Sequence, residues 1–156
     1  MINSTPHIQQ LTDLRQCPYH LLELADPSRA QIDAYLATGT CHVAIHDDTI
    51  VGVLVLDEID ATRLEVKNIA VAPTEQGKGL GKRLLAYASV LAREDGYKTL
   101  VIGTGNSSIG QLTLYQKVGF ELVRIEKDYF VKHYPEPIIE NGIPCRHKLV
   151  LEKAVG

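Results

Sequence analysis

The sequence Gln76-Gly77-Lys78-Gly79-Leu80-Gly81 is a glycine-rich turn between a predicted strand and the most regular predicted helix. Glycine has no side chain, so it lets the backbone turn tightly and approach a ligand closely. The free N–H groups of the first helical turn then point at that ligand, and an anion is favoured there. Lys78, Lys82 and Arg83 add local positive charge. The turn therefore predicts a binding site for a phosphate or pyrophosphate group.

The glycine spacing separates this turn from two common phosphate-binding motifs. A dinucleotide fingerprint requires G-x-G-x-x-G, whereas Gly81 follows Gly79 after a single residue. A P-loop requires G-x-x-x-x-G-K-[ST], but Gln76 stands at its first glycine and Lys82 is followed by Arg83. A glycine-rich turn on its own is also compatible with no ligand at all. The flanking residues are therefore needed to assign the ligand.

The strand predicted before the turn, Arg63 to Val71, changes phase in its middle. Apolar residues alternate with polar ones at Leu64 and Val66, and the next apolar pair is displaced by one position. A single extra residue near Lys67-Asn68 restores the alternation, which is how a β-bulge appears in a sequence.

The pattern along the rest of the chain predicts a mixed sheet with helices on its faces. The helix after the turn, Gly79 to Asp95, carries one apolar stripe. A capping box beginning at Ser108 predicts a helix through Val118. The other predicted helices are Leu21 to Ala25 and a segment capped by Ser28 that runs to about Ala37. The other predicted strands are His7 to Leu11, Cys41 to Ile45, Ile50 to Leu56, Thr99 to Ile102, Phe120 to Ile125 and His147 to Leu151.

The composition limits the classes of function. The chain has 156 residues, of which 45% are hydrophobic, and we expect one domain over residues 1–156. No window approaches the ~18 consecutive apolar residues of a membrane span, and residues 1–6 predict no signal peptide. The net charge of −3 argues against a nucleic-acid partner, because phosphates must be neutralised.

The cysteines and histidines predict neither a disulfide framework nor a metal site. Three cysteines form an odd set without CxxC spacing, and no predicted helix carries two of the six histidines. We therefore expect no metal ion and a reducing, cytoplasmic location.

The turn and its surroundings resemble the GNAT superfamily of N-acetyltransferases. The Q/R-x-x-G-x-G/A signature of that family matches Gln76, Gly79 and Gly81, and a Y-x-x-x-G-F segment matches Leu114 to Phe120. The resemblance covers about Cys41 to Ile125. It implies an α+β fold whose mostly antiparallel mixed sheet has six to seven strands, a splayed central pair and about four flanking helices. It also implies acetyl-CoA as co-substrate, and dimers are frequent in this family.

The resemblance implies which residues bind acetyl-CoA. The amides of the turn would cradle the pyrophosphate, and the pantetheine arm would lie along the bulged strand like an added strand. Asn106 resembles a family asparagine that binds the pantetheine arm, although a plain Asx turn is equally compatible with it. The implied cofactor-binding residues are Ile69, Ala70, Val71, Gln76, Gly77, Lys78, Gly79, Leu80, Gly81, Lys82 and Asn106. The Ala70 or Val71 amide is an expected donor to the oxyanion.

The resemblance also implies an acid and a base for the transfer. A primary amine with a pKa near ~10.4 is protonated at neutral pH and cannot attack a thioester, so a base is useful. Glu65, eleven residues before Gln76, matches the glutamate base of histone-type members. Tyr115 matches the tyrosine that serves the leaving sulfur as an acid. The alternatives are a solvated strand carboxylate and a core tyrosine.

Two functions are compatible with these residues. The first is acetyl transfer from acetyl-CoA to an amine of a small molecule or peptide, and the second is a non-catalytic acyl-CoA-binding module on the same fold. The loop Lys127 to Cys145 mixes aromatic residues with carboxylates. Such a loop favours an acceptor with positive charge beyond the reacting amine, although an ordinary solvated loop is the alternative.

Overall fold

A computed structural model describes residues 5–156, whose central feature is one large sheet. The signal-peptide expectation rests on residues 1–6, of which residues 1–4 lie outside the described part. The strands of the large sheet are β1 (His7–Leu11), β2 (Thr40–His46), β3 (Thr49–Asp60), β4 (Arg63–Val71), β5 (Thr99–Gly105), β6 (Glu121–Glu126) and β9 (Lys148–Ala154). A separate small hairpin is formed by β7 (Ile139–Glu140) and β8 (Ile143–Pro144).

Five α-helices connect these strands, with two short 3₁₀ turns at Leu14–Gln16 and Pro73–Glu75. The helices are α1 (Tyr19–Ala25), α2 (Arg29–Thr38), α3 (Leu80–Glu94), α4 (Ile109–Lys117) and α5 (Tyr129–His133). None of the helices in residues 5–156 is long and apolar enough to cross a membrane.

The strand order of the large sheet is β1-β2-β3-β4-β5-β9-β6. Within residues 5–156 the β4–β5 pair is the parallel one, and the other neighbours in this sheet are antiparallel. The predicted class, a mostly antiparallel mixed sheet of six to seven strands, is confirmed.

The bulge predicted in β4 is present. Val55 of β3 pairs with Asn68 and Leu56 pairs with Val66, so Lys67 is the extra residue. The alternation of buried side chains therefore resumes one position later, as the apolar pattern of β4 indicates.

Helices cover both faces of the sheet and give it two cores. Strand β3 is buried on both faces: Leu54 faces the core under α3, and Val53 faces the core under α1 and α2. A strand covered on both faces is expected to be apolar throughout, as this part of β3 is. Leu84, in the apolar stripe of α3, is completely buried. Burial of this side chain contributes about 1.5–3 kcal/mol to the stability of the fold.

Two local predictions need correction. The side chain of Ser108 does not cap α4, because its hydroxyl group donates to the Glu140 carboxylate at 2.9 Å. The segment Lys127 to Cys145, predicted as a loop, contains α5 and the small hairpin. The fifth helix therefore adds to the four expected.

Candidate active site

Strands β4 and β5 separate next to the bulge and leave a cleft. They pair only from Arg63 to Val66 on β4 and from Thr99 to Ile102 on β5. Beyond these residues β4 pairs only with β3, and β5 pairs only with β9. The predicted splayed central pair is therefore present.

The backbone of β4 beyond the bulge is open towards this cleft. The N–H of Ala72 donates to the carbonyl of Val51 on β3, at 2.8 Å. Backbone groups of alternate residues point to opposite sides of a strand, so Ala70 also faces β3, whereas Ile69 and Val71 face the cleft. Of the two expected oxyanion donors, only the Val71 amide is on the correct side, and the Ala70 prediction is corrected.

The glycine turn forms one end of the cleft. Gly77 and Gly79 have φ angles of 78° and 84°, a left-handed conformation that favours glycine. A Cβ built on either residue would meet no atom within 4 Å, so the space above the turn is open to a ligand. Gly79 is the N-cap of α3 and offers no side-chain cap, which leaves the first N–H groups of the helix available.

The predicted polar residues of the turn differ in what they contact. The side-chain amide of Gln76 donates to the carbonyl of Val71 at 3.1 Å and braces the turn against β4. The ammonium group of Lys78 lies 3.6 Å from the Glu75 carboxylate. Lys82 is exposed in the first turn of α3. The guanidinium group of Arg83 donates to the carbonyl of Pro6 at 2.8 Å.

Two adjoining cavities occupy the cleft. The turn cleft, of about 510 Å³, is lined by β4, the glycine turn and α4. The inner cavity, of about 370 Å³, lies between β4, β5, the end of α1 and the segment after β6. The two cavities share the lining residues Leu24, Ala25, Ile69, Gln111 and Tyr115, so they lie side by side.

Glu65 lies on the wall of the inner cavity, with 14% of its side chain exposed. Its Oε1 accepts a hydrogen bond from the ammonium group of Lys67 at 3.2 Å. Its Oε2 lies 3.7 Å from the ammonium group of Lys148 on β9. One carboxylate therefore faces two cations.

Tyr115 lies where the two cavities meet. It is only 4% exposed, and its ring packs against Phe120 at a centroid distance of 6.1 Å. Burial raises the pKa of Tyr115 well above its ordinary value, because the phenolate would be poorly solvated. The hydroxyl group therefore keeps its proton throughout the neutral range.

Asn106 is not placed on the cleft. Its amide donates to the carbonyl of Pro144 at 3.1 Å, and its Oδ1 accepts from the N–H groups of Arg146 and His147 at 2.8 and 2.9 Å. Asn106 is absent from the linings of both cavities. It fastens the segment before β9, and the structure does not support a contact with pantetheine.

A buried polar network missing from the sequence predictions supports the inner cavity. The Asp26 carboxylate accepts from the hydroxyl groups of Tyr35 and Tyr134 at 3.1 and 2.8 Å. Asn68 donates to the Tyr35 hydroxyl at 2.9 Å and to the carbonyl of Leu22 at 3.0 Å. These residues come from distant segments, so no local pattern in the sequence indicates the network.

The segment after β6 contributes part of its predicted aromatic and acidic residues. Those that line the inner cavity are Tyr129, Phe130, Tyr134 and Glu140. Asp128 instead pairs with Arg146 at 2.9 Å, and Glu136 is exposed. In residues 5–156 no group of three or more His, Cys, Asp or Glu side chains is arranged to hold a metal ion.

Comparison with known proteins assigns the family. The model of the "Acetyltransferase (GNAT) family" matches residues 8–120, which include the bulged strand, the glycine turn and Tyr115. The chain therefore belongs to the GNAT acetyltransferase family.

Individual proteins of similar sequence or structure match this chain over most of its length. YvbK of Bacillus subtilis, described as an uncharacterized N-acetyltransferase, is 49% identical over 128 residues, or 82% of this chain and 83% of that protein. A GNAT family acetyltransferase from Elizabethkingia anophelis, with acetyl-CoA bound, is 45% identical with a TM-score of 0.94 over 97% of this chain and 99% of that one. An "IAA acetyltransferase" from Bacillus cereus is 46% identical with a TM-score of 0.92 over 96% and 99% of the two chains.

Proposed function

We propose that this protein transfers the acetyl group of acetyl-CoA to a primary amine. The observation that carries the proposal is the pair of adjoining cavities, one at the open glycine turn and one at Glu65, which share Tyr115 in their linings. An anion site in one cavity and a carboxylate in the next suit a phosphate-bearing donor and an amine acceptor. The acetyl-CoA bound to the Elizabethkingia anophelis relative supports the choice of donor.

The coenzyme part of the donor is assigned to the turn cleft. The residues proposed to bind it are Gln76, Gly77, Lys78, Gly79, Leu80, Gly81 and Lys82 at the pyrophosphate, and Ile69 and Val71 along the pantetheine arm. The open space above Gly77 and Gly79 and the uncapped start of α3 support the first group. The outward-facing backbone of Ile69 and Val71 supports the second. Ala70 lines the cleft without a free backbone group, and Gln76 acts by bracing the turn.

The chemical step requires a free amine beside Glu65. Releasing a proton from an ammonium ion with a pKa near ~10.4 at neutral pH costs about 4–5 kcal/mol, at ~1.36 kcal/mol per pKa unit. Glu65 takes that proton through Oε2, directly or through a water molecule, because Oε1 already accepts from Lys67. The amine nitrogen then bonds to the thioester carbonyl carbon while the C–S bond breaks.

The departing sulfur and the carbonyl oxygen also need partners. Tyr115 gives its proton to the thiolate and regains one from the nitrogen as the amide forms, a role supported by its position in the linings of both cavities. The N–H of Val71 faces the cleft and is proposed to stabilise the negative charge that develops on the carbonyl oxygen.

The lining of the inner cavity favours an acceptor with additional positive charge. It carries four carboxylates and two ammonium groups, in Glu23, Asp26, Glu65, Glu140, Lys67 and Lys148. Asp26 and Glu140 are bound by neutral hydroxyl groups, so their charges are not cancelled by a paired cation. Aromatic rings of Phe130 and Tyr134 add faces that attract cations.

Turnover of isotope-labelled acetyl-CoA over a panel of amines tests the proposal. Labelled N-acetyl product with at least one amine, together with stoichiometric release of CoA, is the expected result. Calorimetric binding of acetyl-CoA without product across a broad panel would instead favour a non-catalytic acyl-CoA-binding module. Rates with cationic amines should fall as salt is added, because charge steering is screened over about 8–10 Å.

A further inference from the structure

Three observations place the side chain of Lys148 on the inner cavity. Its aliphatic stem lies against Gly103 of β5, where any Cβ would collide with the Lys148 Cε. Its ammonium group lies 4.7 Å from the centroid of the Tyr129 ring, at a distance suited to a cation–π contact. Only 18% of its side chain is exposed, and the group reaches the wall beside Glu65.

The hydrogen-bond donors of this ammonium group are free. The 3.7 Å separation from the Glu65 Oε2 is too long for a hydrogen bond, and within residues 5–156 no other acceptor lies within bonding distance. The neighbouring Lys67, by contrast, donates to the Glu65 Oε1 at 3.2 Å. The bond from Lys67 occupies one oxygen of Glu65, whereas the donors of Lys148 remain unused.

A largely buried ammonium group needs a partner for its donors. We infer that Lys148 binds the carboxylate of the acceptor, and that the acceptor is a free amino acid whose amine lies at Glu65. The inference rests on the proposed acetyl transfer and specifies its acceptor. The Lys148 Nζ and the Glu65 Oε2 are only 3.7 Å apart, so an amine and a carboxylate separated by one or two carbon atoms can reach both groups at once. An α- or β-amino acid has this spacing.

The rest of the acceptor would then extend along the inner cavity. The carboxylates of Asp26 and Glu140 lie on the lining of the same cavity as Lys148. They suit a basic side chain, which supplies the positive charge beyond the reacting amine. A diamino acid therefore satisfies both the lysine and the carboxylates of this cavity.

A different role for Lys148 would be to orient Glu65 without touching the acceptor. The two roles differ in substrate dependence. A lysine that binds a carboxylate affects only acceptors that carry one, whereas a lysine that orients the base affects every amine equally. Lys67 provides the matched comparison, because its donor is already used by Glu65.

The test compares amino acids with the amines obtained by replacing their carboxylate with hydrogen, such as lysine with cadaverine and ornithine with putrescine. For the wild-type protein, kcat/KM should favour the amino acid in at least one pair by about tenfold or more, as expected for a charged hydrogen bond. Lys148→Met should lower that ratio about 10- to 100-fold, mainly through the KM of the amino acid. Lys67→Met should leave the ratio unchanged, whatever it does to the rate.

The inference is overturned if the wild-type protein acetylates the amines as well as their amino acids, or if Lys148→Met slows both members of a pair equally. If Lys148→Met does not fold, the wild-type ratios decide. A protein that binds acetyl-CoA and acetylates neither member of any pair refutes the proposed function. The carboxylate site is then judged by calorimetric titration of the same pairs into the CoA-loaded protein, where equal affinity of both members would refute it.

Discussion

The Tyr134 hydroxyl group donates a 2.8 Å hydrogen bond to the Asp26 carboxylate, across 108 positions of the chain. Asp26 ends α1, and Tyr134 follows α5, so this bond joins two walls of the inner cavity. Asp26 is itself held by the N–H of Ser28 and the hydroxyl group of Tyr35. The segment after β6 is thereby fastened to the corner between α1 and α2.

Removing this bond should affect acceptor binding more than coenzyme binding. Tyr134→Phe keeps the ring but loses the donor, and a hydrogen bond to a charged group contributes about 1.5–3 kcal/mol. We expect a lower free energy of unfolding in urea, a higher KM for the acceptor and an unchanged KM for acetyl-CoA. Tyr97→Phe is the control, because it removes a similar bond to the Glu58 carboxylate outside both cavities. A Tyr134→Phe variant with wild-type acceptor KM would show that the fastening is structural only.

The glycine turn allows a matched pair of substitutions. Gly79 and Gly96 lie at the two ends of α3, have φ angles of 84° and 86°, and have no atom within 4 Å of an added Cβ. Valine at either position carries a similar backbone strain, of order 1–3 kcal/mol. Only Gly79→Val places a side chain in the proposed path of the pyrophosphate, so it should raise the acetyl-CoA KM strongly while Gly96→Val should not. Equal KM values in the two folded variants would move the coenzyme away from this turn.

The role proposed for Glu65 predicts a pH-dependent loss. Glu65→Gln should lower kcat by about 10²–10⁴, the usual range for a lost acid–base group. The loss should shrink at high pH, where more of the acceptor amine is already unprotonated. Glu152→Gln, on β9 and outside both cavities, should retain full activity. A Glu65→Gln variant with wild-type kcat at neutral pH would assign proton removal to water or to the backbone.

Tyr115 should matter for the rate and not for coenzyme affinity. Tyr115→Phe keeps the buried ring against Phe120 and removes only the hydroxyl group. We expect a lower kcat, caused by slower departure of the thiolate, and a CoA dissociation constant close to that of the wild-type protein. The two constants are measured by steady-state turnover and by calorimetry. A parallel loss of CoA affinity would indicate that the hydroxyl group binds the coenzyme and does not act as an acid.

The parts of the site that the sequence could predict are those encoded within one segment. The bulge at Lys67 appears as a break in alternation, and the glycine turn appears as a spacing, so both were predictable. The contacts of Lys148 with Glu65 and Gly103 require the strand order of the finished sheet, which no local pattern contains. The capping prediction at Ser108 fails for a similar reason, because Glu140, far along the chain, competes for its hydroxyl group.

A buried histidine outside the candidate site should make the stability of the protein depend on pH. His42 on β2 is 2% exposed, and its two ring nitrogens contact the hydroxyl groups of Thr40 and Tyr87, each at 2.9 Å. Burial lowers the pKa of His42 from 6.5 to about 4, because the imidazolium ion would be poorly solvated. The folded protein therefore holds His42 neutral at pH values where the unfolded chain binds a proton. Above about pH 7 the imidazole is neutral in both states, so His42 does not change the free energy of unfolding. As the pH drops from 6.5 towards 4, the unfolded chain gains a proton and the free energy of unfolding falls.

His42→Gln should remove this dependence, because glutamine offers a donor and an acceptor but does not titrate. Urea unfolding at a series of pH values should show the wild-type free energy falling more steeply than that of His42→Gln below pH 6.5, with a slope difference approaching about one proton. His20→Gln, which replaces an exposed histidine of α1, should follow the wild-type curve. Parallel curves for wild type and His42→Gln between pH 7 and pH 4.5 would mean that His42 is protonated in the folded protein, and that its bonds to Thr40 and Tyr87 rearrange to accommodate the charge.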